Sequence, residues 1–283
     1  MKVILSRKGF DSSYGGFPSP ILPDGVMLSL PIPSKSSIAY SDLTTPQGGT
    51  YLDLMLQLKD KIKLKKGSVL LTPQIQCHLD PDLRASAYPR EKGWKPLFGQ
   101  AGAAQGHLKK EGVGEGDIFL FFGLFRKTVR KDGRIVFDRE TPPVHVIYGY
   151  FEIQRIHTYP FEGLPGWMEY HPHSSKGSRS DRHNAIYLAS EALSFNPGIP
   201  GAGTFDFRPS LVLTKPGYSA SQWALPSLFR KARITYHSEK SSYGWKGEYF
   251  QSAAIGQEFV VSGCPKVEAW AKRLIETNYS GMT

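Results

Sequence analysis

The chain has 283 residues, of which 40% are hydrophobic and 21% charged; both values are close to globular averages, which excludes a largely disordered chain and suits one large domain or two closely joined ones. Its 35 Lys and Arg outnumber 25 Asp and Glu, a net charge of +10, and that balance favours polyanionic partners through counterion release. Only Cys77 and Cys264 are cysteines; with no CxxC pair a cysteine-rich zinc site is excluded, and the two read either as one disulfide that a core of this size does not need or as buried thiols of a reducing compartment.

The apolar run at 2–6 stops at Arg7 and Lys8, too short for a signal peptide, and predicts a buried strand. No apolar stretch approaches the ~20 residues of a membrane helix, so the expected setting is the cytoplasm, with no membrane partner. The Gly-, Pro- and Ser-rich segment 11–33 reads as ordered loop broken by a strand at 25–30. Tyr51, Leu52, Leu54, Met55 and Leu58 fall at helical spacing and predict a helix over 50–58. The lysine-rich run 59–66 reads as a solvated face, and a strand follows at 69–72. Small residues and a basic end predict a helix over 99–110, an arrangement that suits the helix dipole.

An apolar strand is expected at 118–125, a hairpin turn at Asp132-Gly133 and a second long strand at 144–153. The polar stretch 158–182 reads as a long loop. A strand or short helix at 186–193 and strands at 211–214, 234–237 and 259–262 come next. The chain then predicts an amphipathic helix over 266–278, with Val267, Trp270, Ala271, Leu274 and Ile275 on one face. The expected fold class is α+β: a strand-rich mixed sheet or partly open barrel with peripheral helices. No repeat and no linker marks a domain boundary within 1–283.

Several segments carry residues capable of chemistry. In Lys8-Gly-Phe-Asp-Ser-Ser-Tyr-Gly-Gly, Gly15 and Gly16 let the backbone approach a ligand, and Lys8 and Ser12 suit a phosphate; the alternative is a structural turn held by Asp11. In His78-Leu-Asp-Pro-Asp-Leu-Arg, extended backbone would put His78, Asp80 and Asp82 on one side. Such a cluster can hold a divalent cation, or supply a base with an orienting carboxylate, while Arg84 pairs with phosphate or with Asp82. Gln100 sits where the 99–110 helix is expected to begin, a place that binds anions, although small residues there also serve tight packing. Gln257 and Glu258 open an apolar strand, where a carboxylate serves as acid or base or as a buried structural partner.

The loop containing His171-Pro-His173 and Arg179, Arg182 and His183 offers metal or phosphate ligands, but an HxH pair alone is weak and we read the segment as solvated. Ordered on DNA, its Lys176, Arg179 and Arg182 would contact phosphate. The chain lacks the GxxxxGK[ST], GxGxxG, GxSxG and HExxH patterns. Neither the metal nor any other cofactor is identified by the residues.

The strand pair around 116–126 and 145–153 resembles the core of PUA-like barrels, which bind RNA or modified bases; the sub-region concerned is 99–157. A broader resemblance rests on Ser-Arg-Lys-Gly-Phe-Asp-Ser at the start, His-x-Asp-Pro-Asp-Leu-Arg, Phe-Gly-Gln, Gly-Asp-x-Phe-Leu-Phe-Phe-Gly-x-Phe-Arg, His-Asn-Ala-Ile-Tyr-Leu and Gly-Gln-Glu-Phe-Val. On these motifs the chain resembles the third of the nucleotide modification associated domain families, found in bacteria and their phages beside genes that modify DNA bases. The resemblance runs from Lys2 to about Ile275 and implies a single domain over 1–283, a setting in base modification or phage defence, nucleic acid or nucleotide as partner, and no catalytic assignment.

Two functions follow as expectations. An enzyme or accessory factor would bring Lys8, Asp11, His78, Asp80, Asp82 and Glu258 into one pocket, with Asp80 or Glu258 as acid or base and Lys8 and Arg84 holding phosphate. A noncatalytic reader would hold a modified base against aromatic residues, with Arg126, Lys127, Arg130 and Lys131 as a basic rim. A structural partner in a larger complex is a third reading, marked by an exposed apolar patch.

Overall fold

A computed structural model describes residues 1–64, 67–174, 182–238, 241–253 and 258–281. Ten strands form one mixed sheet: β1 (Val3–Arg7), β2 (Ser19–Ile21), β3 (Leu97–Gln100), β4 (Ile118–Lys131), β5 (Arg134–Phe137), β6 (Val144–Thr158), β7 (Ala185–Ala189), β8 (Ala202–Thr204), β9 (Arg233–Ile234) and β10 (Glu258–Ser262). The order is β9-β10-β1-β4-β6-β7-β3, with β2 and β5 also on β4 and β8 on β6. Three helices accompany it: α1 (Tyr51–Leu58), α2 (Gly102–Lys110) and α3 (Pro265–Asn278). The expected α+β class and strand-rich mixed sheet are observed.

β1 lies between β10, antiparallel, and β4, parallel. It is covered on both faces, which explains why Val3, Ile4 and Leu5 are a continuous apolar run with no exposure. β2 continues along the same edge of β4, pairing Ser19 with Phe125 where β1 paired Arg7 with Phe122. The residues between Arg7 and Ser19 therefore leave the sheet edge and return to it, so Lys8 stands where the chain departs.

The β4–β6 pair behind the PUA-like resemblance is a long antiparallel ladder, with a register shift beside Phe121 and Phe122. It lies mid-sheet rather than in a closed barrel. Even so, the sheet is curled. Five inter-strand steps separate β10 from β3, roughly 24 Å in a flat sheet. Yet the Gln100 side chain of β3 donates to Glu258 of β10 over 2.6 Å. No backbone ladder joins these strands among the described residues, so the curl closes through side chains only. Phe98, Phe119, Phe121, Phe151 and Tyr187 pack edge-on or stacked within it, each buried ring contributing about 1.5–3 kcal/mol.

Thr50 and Asp53 cap α1 reciprocally, and its buried face joins a second apolar cluster with Phe10, Tyr40 and Leu79. α3 lays Val267, Ala271, Leu274 and Ile275 inward, as expected. The Asp132-Gly133 turn is present, both residues at positive φ, as a two-residue hairpin requires.

Some expected elements differ. The helix foreseen from residue 99 starts at Gly102; Leu97–Gln100 instead pairs with β7, and the ladder prevails because no side chain caps the helix start. Residues 25–30 form isolated bridges rather than a strand. At 211–214 the chain follows a short helical turn, Pro209–Leu211, that proline initiates.

A histidine and carboxylate cleft beside the first strand

Four distant segments meet at the end of β1. Arg7, Lys8, Asp11, His78, Asp80, Gln100 and His173 line a cleft of about 350 Å³.

Behind the cleft wall lies Glu258. It pairs with Ser6 across the β1–β10 ladder, and Lys8, two residues further along, shares that face. Lys8 Nζ donates to Glu258 Oε1 over 2.9 Å, the same oxygen that accepts from Gln100. Lys8 also stands over the Phe98 ring, 4.5 Å from its centre. The side chains of Lys8 and Glu258 are only 8% and 1% exposed. Glu258 Oε2 is buried without a hydrogen-bond partner among the described residues.

Across the cleft, His78 Nε2 and His173 Nε2 face each other at 3.1 Å. Each is 3.9 Å from Asp80 Oδ2. The other oxygen, Asp80 Oδ1, accepts the Gly99 N–H at 2.7 Å and lies 3.3 Å from His171 Nε2. His173 Nδ1 is 2.8 Å from Asn184 Oδ1, and Asn184 Nδ2 donates to the His173 carbonyl. Because the amide nitrogen is thus committed, Nδ1 of His173 carries the proton and Nε2 presents a lone pair to the cleft. Gly99 makes room for this ring: a Cβ there would fall 2.2 Å from His173 Cδ2.

Burial sets the protonation of the cluster. It pushes His78 down to about 3 and His171 down to about 4, and lowers His173, so all three imidazoles are neutral at neutral pH. Burial raises Asp80, against the pull of His173, His78 and Lys8. Neutral imidazoles beside a carboxylate can take a proton, orient a donor or ligate a cation.

The other expected residues are held by structural partners, Asp11 among them although it lines the cleft. Asp82 is bound by both guanidinium nitrogens of Arg90 at 2.6 Å and by the Tyr170 hydroxyl at 2.6 Å. Arg84 lies beside the buried Tyr51 hydroxyl, where its charge pulls against the rise that burial imposes. Asp11 Oδ1 accepts the N–H groups of Ser13 and Tyr14, a turn of its own, and Ser12 offers its carbonyl to Lys63. Gly15 and Gly16 pack against Phe10 and Lys63, which a Cβ on either would strike. Arg126 donates to the Asp138 carbonyl, Lys127 stands over Phe207 and Arg130 is exposed; none lines the cleft. Arg182 is exposed next to the His171 segment. Lys176, Arg179 and Gln257 lie outside the described residues.

His171 and His173, read as part of a solvated loop, are buried. The segment is pinned by Met168, which packs with Leu97, Ile186 and Leu188. The signal for it was the pairing of two spaced motifs, His78-x-Asp80 and His171-x-His173. Asn184, Gly99, Arg90 and Tyr170 went unnoticed because their roles depend on contacts that no local pattern encodes.

The family model for nucleotide modification associated domain 3 matches residues 2–262. Neither a curated protein nor a solved structure was found to match the chain.

Proposed function

Since the chain belongs to the nucleotide modification associated domain 3 family, we propose that it is an enzyme acting on DNA or nucleotides in a base-modification or phage-defence system, with its chemistry in the cleft beside β1. The observation that carries this reading is the convergence of Lys8, His78, Asp80, Gln100 and His173 on one cleft, with Glu258 bound behind it. Lys8 supplies a positive charge suited to a phosphate oxygen. His78 and Asp80 present an imidazole and a carboxylate to the cleft, groups that can move a proton or hold a cation. Glu258 holds Lys8 and Gln100 in place from behind the cleft wall.

A reader of modified bases is the competing reading, drawing on the exposed basic tip of the β4–β5 hairpin. It has less support, since β4 runs on from Phe122 to that tip for roughly 30 Å, and the cleft is lined by the carboxylates of Asp11 and Asp80 and by two histidines, with Tyr14 at its edge.

Incubation of the protein with duplex DNA and a nucleotide panel, with Mg²⁺, Mn²⁺, Fe²⁺ or Zn²⁺ added, followed by mass spectrometry of the nucleosides, tests the proposal. A changed nucleoside or nucleotide that disappears in Asp80→Asn supports it. Tight DNA binding with no product under any condition moves the assignment to a reader.

A further inference from the structure

We propose that His78, Asp80 and His173 form a binding site for one divalent transition-metal ion, with His171 and Asn184 orienting the ligands and an open coordination position facing the cleft. This deepens the enzymatic reading above and rests on the same cleft, though its test is independent of any reaction.

Distances come first. Metal–ligand bonds of about 2.0–2.2 Å place two donors on one ion about 2.9 Å apart at a right angle and about 3.4 Å apart at the tetrahedral angle. The 3.1 Å between His78 Nε2 and His173 Nε2 falls in that interval. The 3.9 Å from each nitrogen to Asp80 Oδ2 closes when the carboxylate turns by about half an ångström. All three donor atoms lie within 4.8 Å of one another.

The supporting shell is the second line. Ligating histidines characteristically donate their other ring N–H to a carboxylate, carbonyl or water, which fixes tautomer and orientation. His173 does so to Asn184 Oδ1. Asp80 Oδ1 is held by the Gly99 N–H, leaving Oδ2 for the ion. His171 adds an independent sign. Its side chain has no exposure, its Nδ1 accepts from the His173 N–H, and its Nε2 has no hydrogen-bond partner among the described residues while aimed at Asp80 Oδ1 from 3.3 Å. Nε2 therefore carries a proton directed at the carboxylate, and a small shift completes that bond.

Charge is the third. Arg7 and Lys8 are the cations that line the cleft, and Glu258 neutralises Lys8; Arg90 is neutralised by Asp82. A +2 ion there would meet the Asp80 carboxylate and the Nε2 atoms of His78 and His173. Two nitrogen donors select Zn²⁺, Fe²⁺ or a similar ion over Mg²⁺ and Ca²⁺, which take oxygen. Three protein ligands rather than four mark an ion with a position left for water or substrate. Lys8 and Gln100 border that position.

The test is metal binding by the full-length protein after dialysis against a chelator, read by calorimetry and by metal analysis of the protein peak. We expect about one equivalent of Zn²⁺ per chain, not displaced by millimolar Mg²⁺. His173→Gln and Asp80→Asn should abolish stoichiometric binding, and Asn184→Ala should weaken it about 10–100-fold. Co²⁺ should give visible d–d bands in the wild type. His157→Gln, away from the cluster, should bind as the wild type does. Circular dichroism separates lost binding from lost fold, and Asn184→Ala decides if His173→Gln does not fold. Absence of stoichiometric binding, or equal binding by the variants, overturns the site. Zinc held at one equivalent with no nucleotide product keeps the site and removes the enzymatic reading; a product unaffected by chelator does the reverse.

Discussion

Lys8 Nζ and Glu258 Oε1 meet at 2.9 Å, joining residues 250 positions apart in a place almost closed to solvent. Such a pair gains its attraction only by leaving water, and its net worth relative to an apolar pair is small. Its contribution is to position Lys8 beside the cleft.

Breaking the pair from one side should be costly. Glu258→Gln leaves the Lys8 ammonium buried without a counter-charge, and Lys8→Met strands the carboxylate. Each should lower unfolding free energy by about 3–5 kcal/mol, with the double variant losing less than the sum. Urea denaturation of the four proteins measures the cycle.

Gly99→Ala should disable the cluster while leaving the sheet formed. The added methyl sits 2.2 Å from the His173 ring, so the ring must move. Overpacking costs about 1–3 kcal/mol, and the loss of zinc binding should exceed anything that stability loss explains. Wild-type zinc affinity in Gly99→Ala would show that His173 is not held by this contact.

Arg90 and Asp82 are expected to matter for folding and not for chemistry. Arg90→Ala exposes a buried carboxylate to loss of both guanidinium bonds and should cost about 3–5 kcal/mol. Activity or zinc binding per folded molecule should stay at the wild-type level. A selective loss in folded Asp82→Asn would return Asp82 to the reacting groups.

Acid should destabilise the protein through its buried histidines. His145 accepts the Trp223 indole N–H on Nδ1, and burial pushes it from an ordinary 6.5 down to about 3. The folded state therefore binds fewer protons than the unfolded chain. Its contribution is fully present above about pH 6.5 and is lost as pH falls from there towards 3, at about 1.4 kcal/mol per pH unit. Asp80 and Asp82, raised by burial, act with the opposite sign and offset part of the loss at the acid end. Denaturation curves between pH 6 and 4 should be less pH-dependent for His145→Gln by about one proton's worth of slope.

At the tip of the β4–β5 hairpin, Arg130 and Lys131 are exposed. Replacing both with alanine should weaken duplex binding and flatten the plot of log affinity against log salt by about 0.9 for each phosphate contact removed. Titration at several salt concentrations checks this; an unchanged slope takes the hairpin out of contact with nucleic acid.

Much of this was legible in the residue order. The apolar runs at 3–5 and 118–125, and the largely apolar stretch 144–153 that His145 and Glu152 interrupt, marked the central strands, because strands covered on both faces are rich in apolar residues. Lys8, His78, Asp80, Gln100 and Glu258 stood out as chemical residues at element ends. What the order could not reveal was the curl of the sheet, which alone brings Gln100 to Glu258. Nor could it reveal the fate of Asp82: its position beside His78 and Asp80 suggested a shared role, whereas its partners Arg90 and Tyr170 are set by packing. The burial of His171 and His173 depends on Met168 finding an apolar niche, a tertiary event that overrides a polar composition.

The Gln100–Glu258 seam has a consequence for the order in which the molecule comes into being. Chains leave the ribosome from the N-terminus at roughly 5–20 residues per second. Lys8, His78, Asp80, Gln100 and His173 all emerge well before Glu258. The nascent chain can assemble the histidine cluster while Lys8 still has no counter-ion and the sheet has no partner to curl towards. The cleft is finished only by one of the last strands to be made, so a chain cut short before β10 would carry the histidines but not the anchored lysine beside them.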